Sequence, residues 1–251
     1  MDNATKQALK QPDKFVALTE NSIDWAKHNR GTAITRGLTI AGIVVLVLAG
    51  ASFYQHRSAA ASAALGEAIQ TYQTPVATPG QELPAGMKSF PSLKDRASAA
   101  NAEFKSVADQ YGMMPAGRIA VYFTGLTYME EGQNSSAEAS LSKSASSWDG
   151  NVSALSKLAL AQLYQQTGRD SQAVSLYTEL TKTNATTVPA GLAQIQLSEL
   201  YTAEGKTDQA RQILAQLKDK DKDSKGNPGV AAEIATQKLN PQAAAQGPGL
   251  Q

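Results

Sequence analysis

The longest apolar run in the chain, Gly37–Tyr54 (GLTIAGIVVLVLAGASFY), carries no charge across 18 residues and is flanked by Arg36 and Arg57. At about 1.5 Å per residue it reaches roughly 27 Å, close to the ~30 Å hydrocarbon core of a bilayer if the flanking arginines snorkel. Nine strongly apolar side chains between Leu38 and Phe53 favour insertion by roughly 3–5 kcal/mol before the small and polar residues subtract some. A core helix would show a polar face, and this run has none. The run is also longer than the apolar stretch of about 7–15 residues in a signal peptide. The pattern predicts a transmembrane helix over 34–56. Cleavage near the small residues Ala59, Ala60 and Ala61 is the alternative reading. Lys27, Arg30 and Arg36 precede the run and only Arg57 follows it closely, so residues 1–33 are expected in the cytoplasm. Within them, Asp13–Arg30 sets Phe15, Leu18, Ile23 and Trp25 among polar residues. That spacing suits a helix lying on the inner leaflet, and it equally suits a solvated tail with scattered apolar residues.

Past residue 57 the pattern turns to short amphipathic helices, and it repeats. Leu158–Leu180 (LALAQLYQQTGRDSQAVSLYTEL) aligns with Ile195–Leu217 (IQLSELYTAEGKTDQARQILAQL), pairing Tyr164 with Tyr201, Gly168 with Gly205, Ala173 with Ala210 and Leu180 with Leu217. One step earlier, Tyr122–Ser144 supplies Tyr128, Gly132, Ala137 and Leu141. Each tyrosine falls near the end of a first helix, where a ring fills the wedge between paired helices. The glycine four residues later can adopt the left-handed conformation that stops the helix. Asn134, Asp170 and Thr207 are placed to cap the second helix, and Pro189 to sit in the first turn of the third unit. The alanines mark a close helix crossing. Upstream, Arg57–Thr74 and Lys94–Tyr111 read as helices, with Phe104 and Val107 as core positions of a degenerate first unit. The Pro/Gly-rich stretch 75–91 between them is an inserted loop. Residues 218–241 read as a charged linker and a closing helix over Val230–Leu239, and 242–251 as a disordered tail.

The Leu-Gly-x-x-Tyr, Gly, Ala pattern resembles the tetratricopeptide repeat (TPR). The resemblance implies an all-α fold, a TPR-type α-solenoid of helical hairpins over 57–217, preceded by one transmembrane helix. Three departures stand out. The small residue after the Leu position is Gly only at Gly125. The usual Trp is replaced by Val121, Lys157 and Gln194, and the units run longer than the standard repeat.

Composition and charge narrow the chemistry. Residues 1–57 hold 7 Lys/Arg against 4 Asp/Glu and the remainder 16 against 18. No basic stripe with interleaved aromatics follows residue 57, so nucleic acid is not an expected partner. The chain has no cysteine, which excludes disulfides, thiolate catalysis and a lipidated cysteine. His28 and His56 flank the apolar run, and the pair Glu130–Glu131 reads as a solvated helix end. Asn134, Asn151 and Asn184 each begin an N-x-Ser/Thr triplet, relevant only in a eukaryotic secretory pathway. No motif for a cofactor, a metal or a small-molecule substrate occurs, and an enzyme is not expected.

The resemblance implies a concave binding face built from the first helices. It places Ile119, Tyr122, Leu126 and Met129 there in the first full unit, Leu155, Leu158, Gln162 and Gln165 in the second, and Leu192, Ile195, Glu199 and Thr202 in the third. The alternative for Leu158 and Ile195 is packing against a neighbouring helix. No lysine stands at these positions to clamp a peptide carboxylate. The layout as a whole resembles the bacterial YfgM-like family of ancillary translocon subunits. That likeness implies a single-pass inner-membrane protein with periplasmic repeats, acting as a scaffold for translocon, secreted or envelope polypeptides. Self-assembly, or coordination of an envelope complex, is the second reading.

Overall fold

The computed structural model describes residues 27–77, 88–222 and 225–240. The expectations for the amphipathic stretch up to residue 26, for most of the 75–91 insertion and for the tail 242–251 lie outside the described residues. The chain divides into two units, Met1–Arg57 and Ser58–Gln251.

Helix α1, Arg30–Gln73, is a single helix, where the sequence suggests a membrane helix and then a separate one. The cause is local: from Arg57 onward the chain reads RSAAASAALGEA, dominated by good helix formers and free of proline. In the first unit α1 is long and apolar enough to cross a membrane. Its most apolar 18-residue window has a mean hydropathy of 2.1 and no buried residue, so it is not a core helix. Thr35 and Thr39 donate their hydroxyls to the carbonyls of Gly31 and Thr35, each at 2.9 Å. Both polar groups are thereby satisfied inside the helix, as an apolar medium requires.

In the second unit the end of α1 pairs with α2 (Leu93–Tyr111). Three hairpins follow: α3 (Pro115–Glu130) with α4 (Asn134–Ala145), α5 (Gly150–Gln166) with α6 (Asp170–Leu180), and α7 (Ala190–Ala203) with α8 (Thr207–Lys220). Helix α9 (Val230–Leu239) closes the array. The result is an all-α helical repeat.

The repeat landmarks have one structural origin. Gly132, Gly168 and Gly205 have φ of 76°, 70° and 77°. After each, the next residue's N–H bonds back to the tyrosine carbonyl: Gln133 to Tyr128 at 2.8 Å, Arg169 to Tyr164 at 2.7 Å, Lys206 to Tyr201 at 2.8 Å. The glycine N–H in turn bonds the residue after that tyrosine, Met129, Gln165 or Thr202, at 3.0–3.1 Å. This is the Schellman motif, and it explains why tyrosine and glycine keep a spacing of four. The turn is so tight that Gln133, Arg169 and Lys206 are also the N-caps of the second helices. Their carbonyls accept from Ala137, Ala173 and Ala210. Asn134, Asp170 and Thr207 are therefore first helical residues, not the caps expected from their chemistry. Pro189 likewise is the N-cap of α7, one residue before the helix.

The core follows the same register. Ala137, Ala173 and Ala210 are buried, as are Leu141, Tyr177 and Leu214, with Leu180 and Leu217 a turn on. In α2 the series Ala100, Phe104 and Val107 fills the corresponding places, packed on Ala61, Leu65 and Ala68 of α1. Phe104 stacks on Phe123 (4.9 Å, 12°), and Tyr72 meets both rings edge-on. Glu130 is exposed, as the sequence leads one to expect, but its carboxylate is also bonded. It pairs with Arg96 at 3.2 Å and accepts from the Tyr72 hydroxyl, so α1, α2 and α3 converge on it. The insertion is closed at its base by Ala77 N–H to Phe90 O (2.8 Å) and Phe90 N–H to Pro75 O (3.0 Å).

Candidate protein-binding surface

First helices pack on one another in this array, α3 on α5 and α7 on α9, whereas no two second helices do so to a comparable extent. At these two places it is first helices that touch, as on the inner row expected of a helical-repeat array. Of the twelve residues expected on the inner row, the α3 and α5 members stay together. Ile119, Tyr122, Leu126, Met129, Leu155 and Leu158 are half-buried, each resting one flank on the core. Tyr122 is held edge-on by Phe123 at 5.3 Å, and burial raises its phenol pKa above the usual value. Gln162 is exposed, while Gln165 accepts from the Tyr177 hydroxyl at 2.6 Å. Burial, aided by the charge of Glu199, pushes the Tyr177 phenol up to about 12.

The α7 members separate. Ile195 is 5% exposed and belongs to a core with Leu214, Leu217 and Ala235 of α9. Glu199 pairs with Lys238 of α9 at 2.6 Å. Leu192 and Thr202 are exposed, the latter's hydroxyl donating to the Ser198 carbonyl. Helix α9 thus packs beside α7, which leaves the apolar surface on α3 and α5. It is docked by its linker: Asp221 accepts from the Ala232 N–H at 2.9 Å through Oδ2, and from the Gly229 N–H at 2.9 Å through its carbonyl.

Residues 158–188, from the second half of α5 through α6, match the family profile of the tetratricopeptide repeat. The chain carries a tetratricopeptide repeat. No curated protein and no solved structure matches it. TPR hairpins are a protein-interaction fold, and the flanking hairpins share the glycine turn and alanine crossing of the matched one. Adjacent TPR units are joined by side-chain contacts that the sequence analysis did not predict. Glu138 of α4 takes both oxygens to Arg169 (2.8 and 3.0 Å) and accepts from the Tyr164 hydroxyl at 3.1 Å. The same guanidinium lies 4.4 Å from the Tyr164 ring. Asn151 Oδ1, at the start of α5, accepts from the backbone and hydroxyl of Thr186 at 3.0 Å and fixes the loop that leads to α7. A carboxylate one unit upstream of a Tyr/Arg pair was the available signal for the first link. The second has none, because Asn151 and Thr186 are 35 positions apart.

Proposed function

We propose that the chain is a membrane-tethered scaffold that binds polypeptide on the concave face of α3 and α5. The observation that carries this reading is the run of half-buried apolar side chains there, Tyr122, Leu126, Met129, Leu155 and Leu158. They lie beyond the reach of α9, which packs on α7 and α8. Apolar surface grouped in this way marks a contact site. The α1 segment tethers the domain to the inner membrane, which concentrates it there and makes weak binding useful. With more positive charge before the apolar run than after it, the repeats face the periplasm. The resemblance of the layout to ancillary translocon subunits supports a scaffold beside the secretion machinery, with emerging or envelope polypeptides as partners and no catalytic step of its own. Crosslinking from Leu126 and Leu158, replaced by a photoreactive residue in intact membranes, tests this reading. Capture of secreted or envelope polypeptides is expected. Adducts with cytosolic proteins alone would refute it.

A further inference from the structure

On the side of the second helices, a cleft runs between α2 and α4 over α3. Two adjoining cavities of about 220 and 170 Å³ occupy it, and both are lined by Ala108, Val121 and Lys143. Val121 lies in the lining of both, at the position where the repeat pattern carries Trp, and valine is smaller than an indole side chain. An apolar cavity of about 150 Å³ takes up a benzene ring, so each cavity has room for one large apolar side chain. The rim is positive. Lys105, Lys143 and Arg118 line the cleft against the single carboxylate of Asp109. Among the described residues neither lysine has an ion-pair partner. At the mouth stands Trp148, 82% exposed. The Arg118 guanidinium lies 4.2 Å from its ring, and Arg118 Nη1 donates to the Met113 carbonyl at 3.1 Å. A tryptophan left in water but braced by an arginine is an arrangement found at the energetic centre of interfaces.

We propose that this outer cleft is a second docking site, distinct from the concave face, for an acidic polypeptide segment bearing a large apolar side chain. The apolar side chain enters over Val121 beside Trp148, and the flanking carboxylates pair with Lys105 and Lys143. The test uses the full chain in nanodiscs of neutral lipid. The probe is a labelled hexapeptide with a Phe-Leu centre and two glutamates on each side. Saturable binding is expected. Val121→Trp, which fills the cavity with the residue the repeat pattern already accommodates, weakens it about tenfold or more, with helicity and melting unchanged. Joint Lys105→Glu and Lys143→Glu does the same, as does exchanging the probe's glutamates for glutamines. Gln162→Ala on the concave face has no effect, which separates this site from the one proposed above. The proposal is overturned by any of four results: no saturable binding, indifference to Val121→Trp or to the charge changes, loss with Gln162→Ala, or competition by phosphatidylglycerol vesicles as effective as that by unlabelled peptide.

Discussion

At Gly168 the backbone φ of 70° is one that L side chains adopt at a cost, and no atom lies within 4 Å of where a Cβ would stand. Replacing it with alanine therefore introduces backbone strain without a clash. Gly168→Ala should lower stability by about 1–2 kcal/mol in urea unfolding, and Gly168→Asn by less, because asparagine tolerates this region better. At Tyr177 the effect is one of pH. Its phenol titrates near 10 in the unfolded chain and is pushed up to about 12 in the fold. The folded state thus keeps the proton that the unfolded state gives up. The associated stability is complete below pH 10 and drains away as pH rises toward 12. Melting temperature should fall over that window, and Tyr177→Phe should flatten the fall. An unchanged pH slope in that variant would show that the Tyr177 proton is not the one involved. The landmark tyrosines, glycines and alanines were legible as residues because each has a single local job. The caps were not, since the helix-to-helix turn is shorter by one residue than cap chemistry suggests. That shift gives the capping positions to Gln133, Arg169 and Lys206.

Among the helices, α9 has the shortest claim on its place. Its sequence predicts a helix over Val230–Leu239 but leaves open whether that helix caps its own array or enters a neighbour's. Its fully buried Ala235, packed with Ile195, Leu214 and Leu217, and the Lys238–Glu199 pair set it on its own α7 and α8. Ala235→Glu puts a charged side chain into a fully buried contact, a cost that undocking of α9 relieves. Hydrogen exchange should then show α9 losing protection while α5 and α6 keep theirs. Uniform loss across the array would mean that α9 is part of one cooperative unit rather than a detachable cap. At the other end, α1 runs through Arg57 without a break. The sequence there reads as two segments because its hydropathy changes at that arginine. Nothing there stops a helix: no proline or glycine lies between Gly50 and Gly66, and the residues after Arg57 are mostly alanine.

For the whole molecule the decisive quantity is which side of the membrane holds the repeats. On the proposed tethered reading, Lys27, Arg30 and Arg36 before the apolar run against Arg57 after it favour a cytoplasmic N-terminus. A C-terminal fusion to an enzyme active only outside the cytoplasm should therefore be active. Arg30→Glu with Arg36→Glu should lower that signal. A cytoplasmic C-terminus in the unaltered chain would remove the periplasmic and translocon reading and leave a cytosolic scaffold docked on the membrane. The sequence by itself determined the apolar segment, the all-α repeat, the number of tyrosine-glycine turns and the buried alanine series. Each of these depends on neighbours within four or so positions along one helix. Only the tertiary structure decided that α9 packs beside α7, that Glu130 joins three helices, and that Glu138 bridges to Arg169 and Tyr164. Only it decided, too, that Val121 lines an outer cleft rimmed by lysines and Trp148. Those outcomes depend on residues dozens of positions apart, whose approach is set by how hairpins stack, and no spacing along a single helix encodes that distance.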